Sequence, residues 1–161
     1  MDHPYPARAK RLKDFVYVGQ IAYFLTICVD WRQRAFDDHE FARYSIQKLL
    51  CTAARFRFAL YAYCLMPDHG HIVALGEHDD SDLDKFMRSW TTQTGFAWRR
   101  AHRGHLWQGG YYDHVLRSDI SIYFAAQYVV MNPVRAGIVE DPKKYEFSGS
   151  TVCSIAELMM R

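Results

Sequence analysis

Residues 58–66 read Phe-Ala-Leu-Tyr-Ala-Tyr-Cys-Leu-Met, without one charged side chain, and Pro67-Asp68 ends the run. Side chains alternate across a strand, so this segment is apolar on both faces and suits a central strand. His69 to Leu75 resumes as a second short apolar run. The two segments with their Pro-Asp break predict a β-hairpin, around which the other elements must be arranged.

The flanking sequence supplies those elements. Ile21 to Val29 is a β-prone apolar run within Val16–Val29. Phe41 to Phe56 carries Phe41, Tyr44, Ile46, Leu49, Leu50 and Ala53 at mostly helical spacing, with Asp37 or Asp38 to cap its start. Ser81 begins the next helix, with Asp84 placed for a capping box. Leu83, Phe86, Met87, Trp90, Ala97 and Trp98 form its stripe, and Gly104 ends it. Tyr111 to Leu116 reads as a last strand. Asp119 caps a final helix through Tyr128 that Pro133 stops, with Asn132 at its edge. The order is strand, helix, strand, strand, helix, strand, helix. Its first six elements match the split βαβ arrangement. The expected class is α+β and ferredoxin-like, an antiparallel sheet with helices on one face. No repeat or long linker divides the chain, so residues 1–161 are expected to form one domain with a basic N-terminal arm over about 1–14.

Composition narrows the function classes. Half of the 161 residues are hydrophobic and 16% are aromatic, which excludes a disordered chain. No apolar run approaches the roughly 20 residues that span a bilayer. The start, Met-Asp-His-Pro, has no apolar signal core, so a cytoplasmic location is expected. Cys28, Cys51, Cys64 and Cys153 form no Cys-x-x-Cys pair and read as free thiols. A net charge of +2 does not by itself call for nucleic acid, but its distribution is uneven. Basic residues gather at 8–13, at Arg32 and Arg34, at 99–103 and at Lys143-Lys144, while acids gather at 79–84. A basic face is thus compatible with a nearly neutral chain.

Two residue pairs carry potential chemistry. His69 and His71, two apart on a strand, project from one face and can share a metal ion; a packed or surface histidine pair is the bland alternative. Asp68 is a further ligand or a turn residue. Tyr128 and Asn132, four apart near a helix end, share a face. Any one of 11 tyrosines is as readily a core residue as a nucleophile.

Longer blocks change that balance. Leu65-Met66-Pro67-Asp68-His69-Gly70-His71-Ile72 resembles the Met-Pro-x-His-x-His segment of the single-tyrosine HUH transposases. Residues 106–117 and Tyr128-Val129-Val130-Met131-Asn132-Pro133-Val134-Arg135-Ala136-Gly137 look like two further blocks of that family. The third block points to the REP-associated tyrosine transposases, whose members act on palindromic repeats that fold into DNA hairpins. The resemblance implies that His69 and His71 are metal ligands, that Tyr128 is the nucleophile, and that Asn132 completes the metal site. It implies Mg²⁺ or Mn²⁺ as cofactor, and an antiparallel sheet with helices on one face that carries the HUH motif and the catalytic tyrosine. The implied activity is metal-dependent cleavage and rejoining of single-stranded or hairpin DNA through a 5′-phosphotyrosine, by a monomer rather than a dimer. Gly70 departs from the bulky middle residue usual in the motif, and glycine weakens strands.

DNA contacts are expected from Arg99, Arg100 and Arg103 at the end of the long helix, and from Arg8, Lys10 and Arg11 in the arm. Trp107, Tyr111 and Tyr112 are candidates for stacking on bases, with core packing the commoner fate. Two other functions fit the same residues: a phosphoesterase in which water attacks and Tyr128 only packs, and a catalytically silent nucleic-acid-binding module.

Overall fold

The computed structural model describes residues 12–161. Arg8, Lys10 and Arg11, and with them most of the expected arm, lie outside the described residues. The elements are β1 (Ala22–Cys28), α1 (His39–Arg55), β2 (Phe58–Met66), β3 (His69–Gly76), α2 (Leu83–Ala101), β4 (Tyr112–Leu116), α3 (Asp119–Val130), α4 (Asn132–Arg135), β5 (Ser148–Gly149) and α5 (Ile155–Met159).

The strands form a sheet of order β4-β1-β3-β2-β5, antiparallel at each pairing. The first four have the order of the ferredoxin-like arrangement, so the α+β class expected from the sequence is the one observed. The central strand is β3, between β1 and the strand predicted to be central, β2. β2 is interior only because the two-residue β5 pairs with Tyr63 and Cys64. So short a strand has no periodicity to read, and β5 and α5 are absent from the sequence-based element list.

The apolar run of β2 has a further cause. Its register against β3 shifts between Leu60 and Ala62, leaving Tyr61 as an extra residue. Such a bulge reverses side-chain parity. Leu60 lies in the core under α1 and α2, whereas Ala62, Cys64 and Met66 lie in the core under α3.

Each sheet face has its own core. Tyr23, Leu25 and Ile27 of β1 and Ile72 and Ala74 of β3 pack with Leu49 of α1 and with Phe86, Met87 and Trp90 of α2. The indole of Trp90 donates to the Ser45 carbonyl at 3.0 Å, tying the two helices together. On the other face Phe24, Ala62, Cys64 and Val73 pack with Ala125, Ala126, Val129 and Val130 of α3 and Leu158 of α5. Helices on one face therefore describes α1 and α2, while α3 covers the opposite face.

Several ends differ from the sequence reading for local reasons. Asp38 caps α1, accepting from the Phe41 amide at 3.1 Å. The cap of α2 is Asp82, which accepts from Lys85 N, not Ser81. Ser81 is buried and donates to the Arg57 carbonyl, and Asp84 accepts from the Tyr111 hydroxyl. Ser118, in a reciprocal box with Ser121, caps α3 in place of Asp119. Pro133 interrupts the helical hydrogen bonding but does not end the helical path. It opens α4, where a missing N–H costs nothing.

Gly70 is explained by packing. A Cβ built there would lie 2.9 Å from Leu65 Cδ2 and 3.5 Å from Ile27 Cγ2. Both belong to neighbouring strands at the same register level, Leu65↔Gly70 and Ile27↔Gly70. The volume of a bulky middle residue is filled from the two sides, and β3 runs unbroken through the motif. Gly70→Val should lower stability by about 1–3 kcal/mol through overpacking. Because the clash is with Leu65, chemical denaturation of the single variants and of Gly70→Val/Leu65→Ala should give a coupling energy of about 0.5 kcal/mol or more. Simple additivity would place the clash elsewhere.

Candidate active site

β3 alternates, so Gly70 and Ile72 face the α1/α2 core while His69 and His71 emerge on the α3 side. The two imidazoles are 4.9 Å apart between ring centroids and nearly perpendicular. His71 is 3% exposed. Its Nδ1 lies 2.9 Å from Thr26 Oγ1 on the paired residue of β1. His69 Nδ1 lies 2.6 Å from Asp68 Oδ1. With Nδ1–H donating to these oxygens, Nε2 of each ring carries the lone pair, the tautomer in which a histidine binds a metal.

Asp68 also accepts from Arg32 Nε at 2.9 Å. Burial alone would raise its pKa, but the hydrogen bond and charge of His69, with the Arg32 guanidinium, hold the carboxyl below its usual range. Asp68 is thus a charged outer partner that orients His69, rather than a bare turn residue. Cys64 stands opposite His71 and is fully buried, and burial pushes its thiol pKa far up.

α3 lies over this face and buries Ile122, Ala125, Ala126, Val129 and Val130 there. Half-buried Tyr128 meets Phe24 edge-on at 6.2 Å, and Phe24 stacks on His71 at 5.6 Å. One aromatic ring therefore joins the tyrosine to the histidine pair. Arg135 lies over the Tyr128 ring, with its guanidinium carbon 3.8 Å from the centroid, and Nη2 donates to the Tyr128 carbonyl at 2.6 Å. Asn132 is half-buried at the start of α4. Its Nδ2, a hydrogen-bond donor, is enclosed without a partner among the described residues, one helical turn beyond Tyr128.

The donor set suits a divalent ion held by two imidazoles and an amide oxygen, with the remaining positions left to ligand oxygens. Among the described residues no three His, Cys, Asp or Glu side chains form a metal-binding group. A third protein donor would therefore be an amide, as Asn132 can provide.

The candidate DNA contacts divide. Arg99, Arg100 and Arg103 are exposed at and just beyond the C-terminal end of α2. Leu106 accepts from the Asp30 amide, and Trp107 bridges Val29, so this segment joins the sheet just past the end of β1 that pairs with His69. Trp107 is a packing residue: it is tilted against Trp90 and Phe36 and donates to Thr94 Oγ1 at 2.8 Å. Tyr111 is tied to Asp84, and Tyr112 is half-buried on β4.

With this geometry in place, known proteins were compared. A family model described as "Transposase IS200 like" matches residues 17–132. The chain belongs to the IS200-like transposase family. A relative from Haemophilus influenzae, named a putative REP-associated tyrosine transposase, is 27% identical over 148 residues, covering 84% of this chain and 82% of the relative. Among solved structures, a REP-associated tyrosine transposase bound to a REP hairpin superposes with a TM-score of 0.70 at 19% identity, covering 86% of this chain and 82% of the other. A putative transposase from Deinococcus radiodurans gives 0.50 at 21% identity, covering 74% and 95%. At these identities the two structures speak for a shared fold.

In this IS200-like transposase, the residue-by-residue reading missed four partners. Phe24 and Thr26 sit in an apolar strand and look like ordinary core. Arg32 reaches Asp68 across a turn that periodicity does not describe. Arg135 was legible: it follows Tyr128 at i+7 and Asn132 at i+3, on the same helical face.

Replacing an outer partner of a metal-bound histidine usually weakens metal affinity about 10–100-fold. Asp68→Ala and Thr26→Val should each weaken Mn²⁺ binding by that order, and His69→Ala/His71→Ala should remove it. Titration calorimetry with Mn²⁺ reads the effect. Unchanged affinity in the double-histidine variant would dismiss the site.

Proposed function

We propose that this transposase cuts and rejoins single-stranded DNA beside a hairpin, through a covalent 5′-phosphate ester on Tyr128. The observation that carries this reading is the continuous run of rings from His69 and His71 through Phe24 to Tyr128. The REP-hairpin complex of the structural neighbour and the REP-associated Haemophilus influenzae relative support hairpin DNA from palindromic repeats as the substrate.

In the proposed reaction Tyr128 Oη attacks phosphorus and loses its proton as the new O–P bond forms. The bond from phosphorus to the 3′ oxygen breaks, and that oxygen takes up a proton to become a free 3′-OH. Re-attack by a 3′-OH reverses the exchange, so the energy of one phosphodiester is kept and no ATP is required. A Mg²⁺ or Mn²⁺ ion held by His69, His71 and Asn132 would supply positive charge at the scissile phosphate. A neutral phenol is a weak nucleophile, so its placement matters. Phe24 and Arg135 confine the Tyr128 ring between an aromatic edge and a guanidinium plane. Arg135 also sets a fixed cation against the nucleophile, and Asp68 and Thr26 hold the two imidazoles in one tautomer.

Arg99, Arg100 and Arg103 fit phosphate contacts along the hairpin stem. Among the described residues no helix is long and apolar enough to cross a membrane. A monomer acting in the cytoplasm completes the proposal.

Tyr128→Phe keeps the ring and its packing and deletes one oxygen. Cleavage of a labelled hairpin with Mn²⁺ should vanish, while hairpin affinity and melting temperature stay near wild type. Mass spectrometry of the trapped wild-type adduct should place the nucleotide on the Tyr128 peptide, with Tyr123→Phe as an active control. Efficient cleavage by Tyr128→Phe would favour attack by water, and binding without cleavage by the wild type would favour a silent module. Separately, reversing Arg99 and Arg100 to Glu should weaken hairpin binding and flatten the slope of log K against log salt by about two, one per lost phosphate contact. An unaltered slope would take this surface out of the interface.

A further inference from the structure

Trp31 is 87% exposed, whereas Trp90 and Trp98 are buried and Trp107 is half-buried. It sits in a short turn after β1 and has φ 54° and ψ 20°, with φ 52° at Arg32. Left-handed backbone is costly for a bulky residue and is commonly relieved by glycine. This chain holds a tryptophan there and gains almost no burial from it.

The strained turn is firmly held. The Asp30 amide donates to Leu106 O at 2.8 Å, Arg32 N to Val29 O at 3.0 Å, and Val29 N to Asp68 O at 2.9 Å. Arg32 reaches Asp68 through Nε at 2.9 Å and Cys28 Sγ through Nη1 at 3.2 Å. The support is therefore shared with the metal site, since the other oxygen of Asp68 accepts from His69 Nδ1. Trp31 lies three positions along the chain from Cys28, which pairs with His69. That length of chain spans at most about 11 Å. Arg32 and Arg34 follow the ring in sequence and are also exposed, Arg34 paired with Asp37 at 2.6 Å.

We infer that Trp31 is a stacking platform for one unpaired nucleobase of the DNA strand next to the scissile phosphate. This rests on the reading of the chain as a cutter of single-stranded DNA. A flat indole held out beside cations suits a nucleobase attached to a phosphodiester, and every base has a face to offer it. Base-paired DNA offers no such face except at its ends, so the platform selects the single-stranded flank over the stem. Because Arg32 and His69 share Asp68, a base seated on Trp31 also fixes the strand relative to the histidine pair.

The test uses the full chain and a hairpin with single-stranded flanks in which 2-aminopurine is moved one position at a time. Wild type should quench the probe at one flank position, and Trp31→Ala should abolish that quenching and weaken binding of the flanked hairpin roughly five- to a hundredfold. Binding of a blunt hairpin should be unaffected, and Trp31→Phe should retain part of the quenching. Trp31→Gly relieves the backbone strain, so it should melt higher than wild type while binding the flank as weakly as Trp31→Ala. Wild-type quenching and affinity in Trp31→Ala would overturn the proposal, as would a lower melting temperature in Trp31→Gly, which would mark the ring as structural. Failure of the parent reading shows separately, as a wild-type chain that forms no Tyr128 adduct whatever its flank binding.

Discussion

The antiparallel pairing of β3 with a neighbour on each side is the constraint on which the site depends. Once β3 is fixed between β1 and β2, alternation sends Gly70, Ile72 and Ala74 to one core and His69, His71 and Val73 to the other. A slip of one residue would exchange the two sets, burying both imidazoles under α1 and α2. Burying two imidazoles among apolar side chains, and bringing a side chain into the space over Gly70 that Leu65 and Ile27 fill, make that slip expensive. The precision of the histidine pair is a by-product of two hydrophobic cores.

The second constraint is electrostatic and local. Two imidazoles on an apolar face could settle in several tautomers and ring orientations. Thr26 and Asp68 reduce these to one for each ring, and His69 together with Arg32 holds the Asp68 carboxyl below its usual range. Each of these partners lies on or beside the paired ends of β1 and β3. The site is thus built at one end of the sheet, with α3 laid across it to bring Tyr128 to the same aromatic group.

Much of this was legible in the amino-acid order. The hairpin, its break at Pro67-Asp68 and the four-residue step from Tyr128 to Asn132 follow from strand and helix periods. The Met66–His71 and Tyr128–Gly137 segments carried the family resemblance. What escaped was set by tertiary context. The Tyr61 bulge cannot be seen in a run that is apolar throughout. Ser81 and Asp82 are equally good caps on paper, and only the carbonyl of Arg57 draws Ser81 away. Phe24 has the sequence character of any core residue, yet its ring meets both Tyr128 and His71. Gly70 looked like a weakness in β3 because the side chains that fill its space, Leu65 and Ile27, come from other strands.

The bulge in β2 also separates two responsibilities within one strand. Phe58 and Leu60 serve the α1/α2 core, and beyond the bulge Ala62, Cys64 and Met66 line the face covered by α3. An extra or missing residue in the α1–β2 connection can be taken up at Tyr61, where the frame of the strand already changes. The stretch paired with His69 and His71 keeps its own count. A change in the helical layer on one side of the sheet can therefore be absorbed without moving the histidine pair out of register.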